Sequence, residues 1–143
     1  MRYSKYSGRG NFFSLPNEVF LLGLSAGELS VYSFLKRCEN RKTHQCWPSI
    51  KTIGKAVGMS ENTVRKYIRQ LEERGLITTQ STEVITKTGE KRNGNLRYTI
   101  RPIAEAVERY YEQQLIRLHE ETRHQAVLKK LAEFDRKHEK PAG

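Results

Sequence analysis

The chain has 143 residues, a net charge of +10 and 36% apolar residues. That is enough apolar material for one small core but not for two, so one domain with an appendage is expected. No apolar run reaches the length of a membrane span and no signal-peptide pattern opens the chain, so a cytoplasmic protein with no membrane partner is expected. The positive charge is segregated: residues 1–101 hold 18 Lys/Arg and 8 Asp/Glu, whereas residues 102–143 hold eight of each. A generic solubilising charge would not divide in this way. A phosphate-contacting surface joined to a part with another task would.

Residues 1–14 read as a flexible basic arm, in which Arg2, Lys5 and Arg9 alternate with Tyr3, Tyr6 and Gly8. Such an arm adds weak electrostatic attraction to nucleic acid. Phe12, Phe13 and Leu15 mark the join to the core, and a turn of helix is expected over Glu18–Leu22. Ser25-Ala26-Gly27-Glu28 has the spacing of a capping box. The helix it opens carries Leu29, Val31, Tyr32, Phe34, Leu35 and Cys38, which suits a central helix. Glu39 to Gln45 reads as a loop, followed by a very short strand at Gln45–Trp47, with Trp47 filling the edge of the core. Cys38 and Cys46 bracket His44, but three or four correctly spaced ligands are needed for a metal. Buried, reduced thiols are the better reading, with no metal and no cofactor.

From Trp47 to Ile77 the pattern is that of two short helices joined by a tight turn. Ile50, Ile53 and Val57 recur at helical spacing, with Lys51 and Lys55 on the outer face. Gly58 stands where a helix ends in a left-handed turn, Met59 turns inward, and Ser60 is placed to cap a second helix. The second helix repeats apolar residues at Val64, Ile68 and Leu71, and Gly75 closes it. Its exposed side carries Glu61, Asn62, Thr63, Arg65, Lys66 and Arg69. Such a face suits a major groove, where Arg pairs with guanine, Asn with adenine and Thr meets thymine methyls. This is a helix-turn-helix pattern with the recognition helix second.

The segment Pro48–Ile77, with G-M-S-E-N-T-V-R and L-E-E-R-G-L-I, resembles the winged helix-turn-helix domains of bacterial regulators and replication initiators. It is similar to the small helix-turn-helix proteins of Gram-positive mobile elements, and more distantly to the GntR-type DNA-binding domain. The resemblance implies that Ser60, Asn62, Thr63 and Arg65 meet bases and phosphates. Glu61 departs from the Arg or Lys often found there in GntR-like domains; it would accept from a cytosine amino group or repel a phosphate. Lys51, Lys55, Lys66 and Arg69 are assigned mainly to phosphates.

After Gly75 the period becomes alternating. Ile77–Gln80, Val84–Thr86 and Leu96–Ile100 read as strands around a turn-rich loop, Lys87–Asn95. A hairpin directly after a recognition helix is a wing, and Lys87, Lys91 and Arg92 would lie on phosphates or in the minor groove. Pro102 opens a long helix, Ile103 to about Lys137, stopped by Pro141. Val107, Tyr110, Tyr111, Leu115 and Leu118 give its first half an apolar side; Leu128, Leu131 and Phe134 restore one later. No sustained heptad repeat joins them. His119 and His124 read as solvated helix residues.

The expected fold is therefore mainly α with a small β-hairpin: a winged helix-turn-helix over 15–101, followed by a long C-terminal helix within 102–143. The expected function is sequence-specific binding of double-stranded DNA as a transcriptional regulator of a mobile element, with homodimerisation through 102–140. Two alternatives remain open at this stage. One is a replication initiator that recruits replication proteins through the C-terminal helix; the other is an interaction module that no longer binds DNA. An enzyme is not expected, because no phosphate loop, metal-ligand cluster or nucleophile–base motif is present.

Overall fold

A computed structural model describes residues 11–138. Most of the expected basic arm, and the expected helix stop at Pro141, lie outside them. The described residues form two compact units that divide after Val107.

The first unit is assembled on helix α1, Ala26–Cys38. Ser25 caps it in a complete capping box: Ser25 Oγ accepts from the Glu28 amide at 3.2 Å, and Glu28 Oε1 accepts from the Ser25 amide at 3.2 Å. Val31 and Tyr32 lie one helical turn from Leu35 on the same face and all three are buried, so α1 is the floor of the core. A 3₁₀ turn precedes it at Asn17–Leu21, one residue earlier than the expected helical turn, and buries Val19.

Strand β1, Gln45–Cys46, leads into α2, Ile50–Val57, and α3, Glu61–Glu73. Ser49 and Ser60 cap these helices by accepting from the Thr52 and Thr63 amides. Between them Gly58 takes a left-handed φ of 70°, open to glycine at no steric cost. Gly54 sets how closely the turn can approach: a Cβ there would lie 2.6 Å from the Met59 carbonyl oxygen. The glycine lets the chain fold back onto α2, and the Met59 amide donates to the Gly54 carbonyl at 2.9 Å.

Strands β2, Ile77–Gln80, and β5, Arg97–Ile100, pair antiparallel along their full length, and β1 adds to the other side of β5 in the order β1-β5-β2. Tyr98 and Ile100 turn inward onto the helices, as do Cys46 from β1 and Ile77 from β2. Between β2 and β5 lies a second, separate hairpin made of β3, Glu83–Ile85, and β4, Lys91–Asn93. Helix α4 spans Ile103–Lys137 and buries Ala106. This is a winged helix-turn-helix, mainly α with a small antiparallel sheet, and its last helix is long.

Three expectations are corrected. Lys87–Asn95 is not one loop: Lys91–Asn93 is a strand, paired with Glu83–Ile85, and only the tip around Lys87 is a turn. Cross-strand hydrogen bonding overrides the polar, glycine-containing composition that read as irregular. Trp47 does not fill the core edge; it is 47% exposed. The inward positions of the sheet are already taken by Cys46 and Tyr98, and alternation sends the next residue outward. Cys38 is only half-buried, while Cys46 is buried; both are free thiols.

Candidate nucleic-acid interface

The helix-turn-helix turns one face of α3 to solvent. Val64, Ile68 and Leu71 are buried against the core, which at 100° per residue leaves Asn62, Lys66 and Arg69 on the opposite side. Arg65 lies on the flank facing the strands. There Ile50, Arg65, Ile68, Arg69, Glu72 and Leu96 line a groove of about 350 Å³. On the other flank the Tyr67 ring lies over Gly27 of α1, where a Cβ would come within 2.2 Å of it. Lys66 Nζ stands 5.4 Å from the same ring.

Two tertiary links hold α3 in place, and neither was legible from the sequence. At its C-terminal end Arg74 reaches back to Glu28: its Nε donates to Glu28 Oε2, and its Nη1 donates to the Leu22 carbonyl at 2.8 Å. Glu28 is only 4% exposed. Burial alone would raise its carboxyl pKa, but the Arg74 hydrogen bond and charge, with the bonds from Ser25, outweigh it and leave it below the ordinary carboxylate value. Further along, Thr79 Oγ1 of β2 donates to Glu72 Oε1 at 2.9 Å. Helix α3 is thus tied to α1 at one point and to the sheet at another.

At its N-terminal end the expected site residues interlock. Ser60 Oγ donates to Thr63 Oγ1 at 2.9 Å, so the half-buried Thr63 hydroxyl is engaged in the cap. Arg65 Nη1 donates to Asn62 Oδ1 at 3.1 Å, and Arg65 Nη2 lies 3.8 Å from Glu61 Oε1. Arg65 thus lies along the helix surface beside Asn62 and Glu61. As an exposed i,i+4 pair, Glu61 and Arg65 contribute little stability, on the order of 0.3–0.5 kcal/mol. Lys51 and Lys55 of α2 are exposed and line one recess with Ser60 and Glu61, so two cations adjoin the N-terminal end of α3. That end also favours an anion through the helix dipole.

Lys87, Lys91 and Arg92 are exposed but belong to the separate β3–β4 hairpin, apart from the α2–α3 group. The hairpin joins the sheet through a second set of contacts. The Gly94 amide donates to the Thr82 carbonyl at 2.8 Å, and Asn95 Nδ2 donates to the Trp47 carbonyl at 3.1 Å. Trp47, exposed beside this joint, is a candidate surface residue that sequence reasoning placed in the core. The alternation of Cys46 inward was the signal that could have found it.

Among the described residues no group of three or more His, Cys, Asp or Glu side chains could hold a metal ion, and no helix is long and apolar enough to cross a membrane. Buried Tyr98 and Cys46 each have a pKa pushed up to about 12, chiefly by burial, so neither is a reactive group at neutral pH.

Residues 22–77 match the family model of a helix-turn-helix domain, a span that runs from the turn before α1 through α3 to the start of β2. No curated protein matches the chain. Among solved structures it is similar to a possible transcriptional regulator from Methanosarcina mazei Go1, with 18% identity, TM-score 0.48, and 80% of this chain and 98% of that one covered. It is also similar to MepR, a transcription regulator of the Staphylococcus aureus multidrug efflux pump MepA, with 16% identity, TM-score 0.39, and 81% and 83% covered. A third similar structure is a mutant Lactococcus lactis ZitR in complex with DNA, with 13% identity, TM-score 0.38, and 95% and 89% covered.

Proposed function

We propose that this protein binds double-stranded DNA sequence-specifically and acts as a transcriptional regulator. One observation carries the reading: the surface of α3 left free by core packing, Asn62, Arg65, Lys66 and Arg69, adjoins Lys51 and Lys55 in a segment that matches a helix-turn-helix domain. Asn62 and Arg65 are suited to base edges, and the lysines with Arg69 to phosphates on either side. The wing lies on the backbone or in the minor groove beside the major groove that α3 enters.

The helix α4 serves a second copy of the chain. Leu115 and Leu118 are 56% and 60% exposed, and Leu128, Leu131 and Phe134 are 51–57% exposed. At 100° per residue the two groups lie on different sides of the helix, so a partner would cover them by separate contacts. A symmetric dimer reads paired half-sites, which fits a small domain with few base contacts.

Fluorescence anisotropy with labelled duplexes tiled across the DNA around this protein's own gene tests the reading. Competition with unrelated duplex at physiological salt separates the specific term from the non-specific one. One duplex resisting competition by about a thousandfold or more supports specific recognition. Its position at a promoter supports the regulator, and a position at an origin would instead make the protein an initiator. Uniform, salt-sensitive binding to all duplexes would refute specific recognition.

A further inference from the structure

We propose that the tip of the wing is an apolar wedge for the DNA minor groove, with Ile85 as the inserting residue. The proposal rests on the DNA-binding reading above and adds a contact and a deformation of the DNA to it. Ile85 is 70% exposed and Val84 52% exposed, on a hairpin only three residues long in each strand. A two-stranded hairpin has no core of its own, so folding leaves Ile85 unburied. The antiparallel register places Ile85 opposite Lys91 and Val84 opposite Arg92, so each aliphatic residue has a cation as its cross-strand neighbour.

Charge alone does not account for this tip. Residues 83–93 hold three Lys/Arg and two Glu, and Arg92 Nη2 lies 3.6 Å from Glu90 Oε2. A net charge of +1 is little for a phosphate clamp. An aliphatic side chain with a lysine opposite it is instead a composition suited to a minor-groove wedge, which parts a base step while the lysine meets a flanking phosphate.

The tip is also held in shape. The Thr86 amide donates to the Glu90 carbonyl at 2.9 Å, and the Glu90 amide donates to Thr86 Oγ1 at 3.2 Å, with Gly89 at φ 82° completing the turn. At the joint, Thr82 Oγ1 donates to the Asn95 carbonyl, and a Cβ on Gly94 would stand 2.8 Å from Val84 Cγ2. Val84 thus seats against Gly94, and Ile85 is left as the free aliphatic point. A flexible pyrimidine–purine step beside the major groove read by α3 is the expected place of entry.

The test compares the full chain with Ile85→Ala and Ile85→Lys on a bound duplex carrying donor and acceptor dyes at its ends and 2-aminopurine at the flanking step. Wild-type protein should shorten the end-to-end distance and raise the 2-aminopurine signal. Ile85→Ala should lose both effects and about tenfold in affinity, with the slope of log K against log salt unchanged. Ile85→Lys discriminates further: a phosphate clamp would bind more tightly and more steeply with salt, whereas a wedge loses affinity and bend. Circular dichroism should show both variants folded, since Ile85 is exposed. Wild-type-like affinity and bend in Ile85→Ala, or tighter binding by Ile85→Lys, overturns the wedge while leaving DNA binding intact. Failure of the wild-type chain to bind any duplex overturns both.

Discussion

Replacing Glu28 with glutamine isolates the link that anchors the end of α3. The carboxylate of Glu28 accepts from Arg74 Nε at one oxygen and from Arg74 Nη2, at 3.3 Å, at the other. Hydrogen bonds to a charged group contribute about 1.5–3 kcal/mol each, but glutamine keeps one acceptor and Arg74 is 31% exposed and partly solvated. A net loss of about 2 kcal/mol follows, or roughly 10 °C in melting temperature for a unit of this size. The sign with pH is determined by the lowered carboxyl pKa of folded Glu28. Its contribution is fully present above the unfolded value near 4.5 and is lost as pH falls through the folded value. Urea unfolding followed by circular dichroism at pH 7 and at decreasing pH should show the wild type and Glu28→Gln converging in acid. A difference below about 0.5 kcal/mol at pH 7, or one that persists unchanged in acid, would refute the reasoning.

The turn of the helix-turn-helix offers a second check. Gly54→Ala should destabilise by about 1–3 kcal/mol despite alanine's better helix propensity, because its Cβ meets the Met59 carbonyl; thermal melts give the value. Arg65→Ala should relax preference at one base position in a competition binding series, whereas Lys55→Ala should weaken all duplexes alike and reduce the salt slope by about one. Equal losses on cognate and random DNA for both variants would contradict that division. Leu131→Glu should shift the sedimentation coefficient toward the monomer if a second copy covers α4, and leave it unchanged if none does. Cys46, buried with its thiol pushed up to about 12, should resist iodoacetamide at pH 8 until unfolded, while half-buried Cys38 is modified sooner; mass spectrometry of the peptides reads the order.

Much of this protein is written in local patterns, because the determinants are local. The Ser25–Glu28 capping box, the Gly58 turn, the Ser60 cap and the helical spacing of Val64, Ile68 and Leu71 each depend on residues within a few positions of one another. Their reading carried directly to α1, α2 and α3. Segregated charge likewise needs only counting. What the chain could not disclose by itself are relations between distant residues. Glu28 reads as a capping residue, and only the fold shows it buried against Arg74, 46 positions away. Trp47 reads as core, whereas the pairing of Cys46 with Tyr98 turns it outward. The wing reads as one hairpin with a loop, yet its division into a base and a separate tip follows from strand register across Thr82 and Gly94. Local spacing determines which helices form and which faces they bury. Long-range hydrogen bonds and sheet register, which no short window contains, decide where those faces point and where Ile85 stands free.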